Sequence, residues 1–305
     1  AQNDECAVWQ FRNETGDGTM TAYSIFPGIA LHYNDFHMEY FDSGFVPAGN
    51  LLAVDHCREG RMEYAAAENA VAYMSAGDMK LDRRLHHTGR FIFPTGHYHG
   101  LTVGLELTAA RKTLRTELKY FQIQLDQIFE KFELGEYPRV FHDAALVEHL
   151  FGEMYQVPQT IRLPYLRTKI LELLLYLQGM EIPQETAERP YFYRTQVEKV
   201  RAIQRFLTEH LTQNISQEQL SRQFDFPLTS MKKCFQSITG STIGAWVTTC
   251  RMNRAAEMLR SDREKSIADV GCCVGYDSAS KFAAAFRKTM GMTPSEYRME
   301  RGGKE

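Results

Sequence analysis

One constraint dominates this 305-residue chain: its last third carries the same pattern twice. Leu220-Ser221, Phe226, Phe235, Gly240-Ser241-Thr242 and Trp246 recur as Val270-Gly271, Tyr276, Phe286, Gly291-Met292-Thr293 and Tyr297. The offset is 50 residues up to the turn and 51 from Phe235 onward. A period of this length holds one small folding unit, used here in tandem. Each copy reads as a helix, a turn and a second helix. Ser216 can cap the first helix, with Glu218 and Gln219 in its first turn. Asp225-Phe226 makes the turn, since Asp tolerates left-handed backbone. Pro227 suits the start of the next helix and Gly240 its end. Met231, Phe235 and Ile238, spaced by four and three, face inward; Thr229, Lys232, Lys233 and Gln236 are left facing out.

In the second copy Ser266 caps, Ile267 and Val270 pack, Gly275-Tyr276 turns, and Asp277 or Ser278 caps the following helix. Phe282 and Phe286 form its buried face. Its outer face holds Ala279, Ser280, Lys281, Ala283 and Ala284, then Arg287 and Lys288. Between the copies Ile243, Trp246, Val247, Cys250, Arg254, Met258 and Leu259 fall on one long helix. A helix-turn-helix binds DNA by laying its second helix in the major groove. Transcriptional regulation is therefore the leading expectation, with double-stranded DNA as partner.

A net charge of −3 taken alone argues against that. Its distribution reverses the argument. Residues 191–305 hold 18 Lys and Arg against 12 Asp and Glu, or +6, and residues 1–190 hold 17 against 26, or −9. A basic head on an acidic body fits phosphate contacts made by the head alone. No apolar run reaches 18 residues, and the polar start from Ala1 to Cys6 does not read as a signal peptide. The six cysteines (6, 57, 234, 250, 272 and 273) form no C-x-x-C pair and read as reduced thiols, with Cys272-Cys273 packed in a helix. The expected location is the cytoplasm, at the nucleoid, with no membrane partner.

Residues 20–108 are rich in short β-type runs broken by Gly, Pro, Asn and Asp. Leu51–Arg58 and Arg61–Tyr64 read as a hairpin turning at Glu59-Gly60. Val71–Met74, Arg90–Pro94 and Leu101–Leu107 are further strands, with Ser75–Asp78 as a turn, and together they predict a small barrel or sandwich. From about residue 110 the period turns helical. Leu118, Phe121, Leu125, Ile128, Phe129 and Phe132 follow it, as do Leu146, Val147, Leu150, Phe151 and Met154 behind the cap Asp143. Residues 163–177 are apolar nearly all round, so they pack on an internal core or on a second subunit. Residues 179–194, polar with two prolines, read as a linker.

At these residues the chain resembles the AraC/XylS family of bacterial transcription factors. The second copy carries the match: Ser266-Ile267-Ala268-Asp269-Val270, Val274-Gly275-Tyr276-Asp277-Ser278, Phe282, Phe286-Arg287-Lys288 and Gly291-Met292-Thr293-Pro294-Ser295-Glu296-Tyr297-Arg298. The resemblance implies an α+β chain: an N-terminal cupin-like β-barrel with dimerisation helices, then an all-α C-terminal domain with two helix-turn-helix units. The expected division is a sensing barrel at 1–110, dimerisation helices at 111–178, a linker at 179–194 and the DNA-binding domain at 195–305. The chain departs from the family pattern at Asp225, where Gly is usual, and at Gly271, where Ala is usual. By position the family's base-reading places fall on Thr229, Lys232 and Lys233, and in the second unit on Ala279, Ser280, Ala283 and Ala284. Alanines make no bidentate hydrogen bonds. The first unit is thus expected to read sequence, while Lys281, Arg287 and Lys288 hold phosphate. The resemblance further implies a homodimer, a small-molecule effector and RNA polymerase as a further candidate partner.

Polar residues gather in the expected barrel: His32, His37, His56, Arg58, Arg61, His86, His87, His97, Tyr98 and His99. His56 and Arg58 share one face of a strand. A buried Arg anchors carboxylate, phosphate or hydroxyl groups, and Arg58 falls near where the resemblance puts a ligand-contacting Arg. His56, Arg58, His97, Tyr98 and His99 are the ligand-binding candidates. Gly96-His97-Tyr98-His99-Gly100 invites a metal reading, yet the first cupin metal motif does not occur in order, and no cofactor or metal ligand is assigned. No nucleophile elbow, P-loop or dinucleotide fingerprint is present, so no enzyme is expected. The alternatives are a cupin-type metalloenzyme fused to a DNA-binding head, or a regulator that senses a metal chelate.

Overall fold

A computed structural model describes residues 2–3, 6–45, 50–85, 87, 89–135, 137–141, 145–182, 191–262 and 264–301. His86, Asp143 and most of the expected linker lie outside the described residues. The chain divides into two compact units, Ala1–Phe192 and Tyr193–Glu305.

The first unit opens with ten strands: β1 (Gln2–Asn3), β2 (Cys6–Asn13), β3 (Gly16–Phe26), β4 (Ile29–His37), β5 (Tyr40–Asp42), β6 (Leu51–Ala67), β7 (Ala70–Ser75), β8 (Met79–Asp82), β9 (Arg90–Ile92) and β10 (Tyr98–Glu106). Four helices follow, α1 (Leu107–Thr116), α2 (Leu125–Lys131), α3 (Ala145–Tyr155) and α4 (Arg162–Gly179), with β11 (Arg139–Phe141) between α2 and α3. The spatial order is β1-β2-β3-β4-β10-β6-β7. β6 also pairs with β8 and β9, β5 with β9, and β11 with β8, all antiparallel.

Alternation along β10 sorts its residues between two environments. Leu101, Val103 and Leu105 point toward the helices and join Leu31, Val54, Phe151, Leu166, Ile170 and Leu174 in one core. Tyr98, Thr102, Gly104 and Glu106 point the other way, into a cavity. Glu106 also caps α1, accepting from the amides of Thr108 (3.1 Å) and Ala109 (2.8 Å).

The structure differs from several expectations. Glu59-Gly60 is not a hairpin turn, because β6 runs unbroken for 17 residues. Gly60 has φ +81°, and a Cβ there would stand 2.0 Å from the His97 carbonyl oxygen of β10's approach, so only glycine fits the crossing. The helical period over 118–132 does not make one helix. Gln122 is left-handed (φ +53°), and the Gln178 side chain takes the Gln124 amide (2.7 Å) and donates to the Gln122 carbonyl (3.3 Å). β11 goes unpredicted inside the helical region. Of the two surroundings left open for residues 163–177, Leu166 and Ile170 of α4 take the internal one: both are 0% exposed inside the core of their own unit.

Among the described residues 215–298 the second unit has helices and turns and no strand. Its helices are α5 (Arg194–Glu209), α6 (Gln217–Gln223), α7 (Leu228–Thr239), α8 (Ile243–Ser261), α9 (Ile267–Cys273), α10 (Ala279–Met290) and α11 (Pro294–Arg301). Met231, Phe235 and Ile238 of α7 are buried, and α7 packs against α5. Met252, Ala255, Ala256 and Leu259 of α8, Val270 of α9 and Phe282 and Phe286 of α10 make one core. None of the six cysteines is joined in a disulfide among the described residues. Cys272 and Cys273 lie on α9 but are exposed rather than packed, since Val270 and Gly271 hold its inner face. Among the described residues no helix is long and apolar enough to cross a membrane.

Candidate functional site

Both copies of the repeat build the same local geometry from the same devices. Ser216 accepts from the Gln219 amide (3.1 Å) while Gln219 accepts from the Ser216 amide (2.7 Å), a reciprocal cap on α6. Ser266 and Asp269 repeat it on α9, at 3.1 and 3.2 Å. Pro227 stands one residue before α7, and Ser278 caps α10. Gly240 and Gly291 end the second helices in left-handed conformations, φ +77° and +79°.

The outward faces differ. On α7, Thr229, Lys232, Lys233 and Gln236 are all exposed. On α10, Ala279, Ser280, Lys281, Ala284, Arg287 and Lys288 are exposed, and Ala283 is half-buried. None of the ion pairs found among the described residues takes up Lys232, Lys233, Lys281, Arg287 or Lys288. Lys232 is close enough to Glu218 to help hold that carboxyl below its ordinary range, after the Glu218 and Ser216 hydrogen bonds. These cations remain available to a polyanion, and the two second helices carry different chemistry on one scaffold.

Residues 220–300 match the model of a helix-turn-helix domain family. The transcriptional activator RhaR of Mannheimia succiniciproducens is 27% identical over 124 residues, 41% of this chain and 45% of that protein. The transcriptional regulator ExsA of Pseudomonas aeruginosa is 31% identical over 99 residues, 32% of this chain and 35% of that protein. Over its C-terminal unit the chain is thus similar to helix-turn-helix transcriptional regulators. The chain spans less than half the length of these two curated relatives. An AraC-type regulator structure from Chromobacterium violaceum covers 37% of this chain and 96% of its own at 19% identity, with a TM-score of 0.33, too loose an overlay to carry an argument.

The first unit holds a cavity of about 650 Å³, within the roughly 300–1,000 Å³ of small-molecule sites. Phe11, Phe36, Phe41, Phe45, Phe91 and Phe93, with Trp9, Met20 and Met62, make most of its wall. Ser24, Ser43 and Glu106 also line it, and one buried polar group stands in its wall. Arg84 Nη2 donates to Asp55 Oδ1 (2.7 Å), Thr102 Oγ1 donates to the same oxygen (2.8 Å), and Asn34 Nδ2 donates to Thr102 Oγ1 (3.1 Å). His32 Nδ1 lies 3.4 Å from the Thr102 carbonyl. Behind the wall the Lys80 ammonium sits 3.2 Å from Asp55 and 2.9 Å from Asp82. Burial pushes the Asp55 and Asp82 carboxyls up, but the neighbouring Arg84 and Lys80 cations outweigh it, holding Asp55 below its usual value and Asp82 at about 2. The Tyr98 hydroxyl is buried and has no hydrogen-bond partner among the described residues. Burial raises its pKa well above the ordinary value.

Of the expected ligand-binding residues only Tyr98 lines this cavity, joined by His32. His56 and Arg58 do share a face of β6, but it is the face covered by α3. The His56 ring stacks on Phe151 (4.4 Å, 5° between planes), and burial lowers its pKa to about 4. The Arg58 guanidinium lies 4.5 Å over the Tyr155 ring, half-exposed rather than buried. His99 meets Tyr155 edge-on at 5.1 Å. His97 stacks on His37 at 4.7 Å outside the cavity, and with Asp35 these bring three ligand atoms within 4.8 Å. The two imidazole planes are 11° from parallel, so their in-plane lone pairs do not converge on one ion.

Sequence reasoning missed Asp55 and Arg84, the buried charges of the cavity wall. β6 pairs with β10 through an irregularity in which Gly100 faces Cys57 and His99 faces Glu59, leaving Arg58 without an opposite residue. The bulge changes which alternate residues face inward: Ala53 and Asp55 before it, Met62 after it. Arg84 sits at φ +58° in the turn after β8, where strand alternation says nothing. The signal that could have found them is Asp-Met-Lys-Leu-Asp-Arg-Arg at 78–84, unusually charged for a segment flanked by strands.

Proposed function

We propose that this chain is a sequence-specific DNA-binding transcriptional regulator, switched by a small molecule held in the cavity of its first unit. One observation carries the DNA reading: α7 is a second helix, started after Pro227 and ended by the left-handed Gly240, with Thr229, Lys232, Lys233 and Gln236 exposed together. That is the set of groups that reaches guanine and adenine edges in a major groove. On α10, three alanines at the corresponding face leave Lys281, Arg287 and Lys288 to hold phosphate, with Ser280 as the one polar side chain at a base-reading place.

The cavity supports the switch, its wall belonging to a cupin-like β-rich sensing region. A ligand acts on DNA binding only by its different affinity for two arrangements of the protein. A homodimer formed through the helical region would set the spacing of two half-sites. Leu175 on α4, 39% exposed, is a place to test it in place of the buried Leu166 and Ile170. Leu175→Glu should lower the sedimentation coefficient of a dimer without unfolding the chain.

The test of the main reading is selection of duplexes from a random pool by the full chain, followed by footprinting. A defined motif whose protection disappears with Lys232→Ala and Lys233→Ala is the expected result. Enrichment of no motif, or protection unaffected by both changes, would sink it.

A further inference from the structure

The cavity wall restricts the class of effector it can take. This step rests on the reading of the cavity as the effector site. Two buried cations, Arg84 and Lys80, face the buried Asp55 carboxylate and the partly buried Asp82 carboxylate within 2.7–3.2 Å. The group is neutral as a whole and held together by its own ion pairs. A ligand carboxylate or phosphate placed against Arg84 would also stand against Asp55 and leave a net negative charge in a site walled by phenyl rings. Uncompensated buried charge is among the costliest arrangements in a protein. The titratable groups around it do not relieve this. His32 is kept neutral by burial, His87 is lowered to about 4 by burial and the neighbouring Arg84, and Tyr98 stays protonated. A sugar fares no better on the aromatic side, where hydroxyls against Phe11, Phe36, Phe41, Phe91 and Phe93 would have no partner.

What the wall offers is one buried hydrogen-bonding cluster in an aromatic chamber; Ser24, Ser43 and Glu106 also line it, and the Glu106 carboxylate, which caps α1, adds to the case against an anionic ligand. Tyr98 is only 2% exposed and its hydroxyl lacks a partner among the described residues, while Thr102, Asn34 and His32 line the same cavity. We infer that the effector is an uncharged, largely apolar or aromatic molecule with one hydrogen-bonding end, such as a phenol, alcohol or ketone. Its apolar body would lie among the phenylalanines and its polar end at Tyr98 and Thr102.

Two probes of equal shape test this: 4-phenylphenol and biphenyl-4-carboxylate. Trp9 lines the cavity and the only other tryptophan is Trp246, so the full chain carrying Trp246→Phe reports binding through Trp9 fluorescence, with melting temperature as a second readout. The phenol should bind about ten-fold tighter than the carboxylate, or more. Tyr98→Phe should weaken the phenol by roughly 5–10-fold and leave the carboxylate unchanged. Asp55→Asn, which frees a cation, should close or reverse the preference; if that variant does not fold, the Tyr98→Phe comparison still decides. A carboxylate that binds as tightly as the phenol overturns the inference and leaves the cavity as the effector site. If neither probe moves Trp9 fluorescence or the melting temperature, the cavity reading itself fails, and this inference with it.

Discussion

The two helix-turn-helix copies share nearly everything that is buried and little that is exposed. Leu220 and Val270, Met231 and Phe282, Phe235 and Phe286 occupy the same inward places. Both first helices carry a reciprocal serine cap, and both second helices end on a left-handed glycine. Yet where α7 presents Thr229, Lys232 and Lys233, α10 presents Ser280, Ala283 and Ala284, and Gln236 is answered by Arg287. The difference shows where fold and function part. Caps and inward residues determine that a helix-turn-helix forms, and the outward residues determine what it can touch.

The turns differ for a reason that packing supplies. At Gly275 (φ +84°) a Cβ would lie 2.9 Å from the Thr212 carbonyl oxygen and 3.1 Å from Arg251 Nη2, and Arg251 is itself bound to the Leu211 and Gln213 carbonyls. Glycine is required there on both counts. Asp225, the counterpart in the first unit, is also left-handed (φ +45°), but it is exposed and has room for a side chain. Lys199 of α5 pairs with its carboxylate at 3.5 Å and donates to its backbone carbonyl. The departure from the family's usual glycine is thus accommodated by an open site and a local cation.

The contrast between the copies can be broken in four ways. The largest effect is expected in α7. Lys232→Ala and Lys233→Ala should each cost specific binding about 1–3 kcal/mol where the lysine meets a guanine edge. Ser280→Ala in α10 should change the footprint little. Equal losses from the two helices would show that both read sequence. Next come the turns. Gly275→Ala should destabilise the protein by roughly 1–3 kcal/mol through strain and backbone crowding, whereas Asp225→Gly should stay within about 1 kcal/mol of the parent. Thermal melts of the full chain compare them, and an unaffected Gly275→Ala would contradict the crowding.

Smaller again, Arg287→Ala or Lys288→Ala should weaken all duplexes alike and reduce the slope of log affinity against log salt by about 0.9 for each phosphate that is no longer neutralised. A weakening confined to one sequence would make α10 a reader. The smallest expected effect is none. Residues 193–305 form a compact unit with a core of their own. Made alone, they should protect the same operator, with an affinity indifferent to any ligand that raises the melting temperature of the full chain. A ligand response from this unit by itself would remove the sensor from the first unit.

Much of the second unit was legible from residues alone because its information is local. Ser216, Ser266, Gly240, Gly291 and the three- and four-residue spacing of Met231, Phe235 and Ile238 each act within one or two helical turns. A fifty-residue repeat then states the same local rules twice. In the first unit the strand runs at Val71–Met74, Arg90–Pro94 and Leu101–Leu107 were legible by the same kind of reasoning, since alternation and turn residues are near in sequence. The hairpin at Glu59-Gly60 failed because a left-handed glycine marks a bulged crossing as readily as a turn, and only the pairing of β6 with β10 distinguishes them.

What the sequence determined by itself was that two helix-turn-helix copies form, and that Thr229, Lys232, Lys233 and Gln236 on one second helix and Ala279, Ser280 and Ala284 on the other face outward. What only the tertiary structure decided was the wall of the cavity. Alternation placed His56 and Arg58 together but could not say which face of β6 is covered by α3 and which looks inward. Asp55 and Arg84 are 29 residues apart and meet at 2.7 Å through the pairing of β6 with β8 and the left-handed turn after it. Side chains alternate with a period of two, so one bulge or one change of covering layer exchanges inside for outside. That choice is made by long-range packing, which the spacing of residues along one strand does not contain.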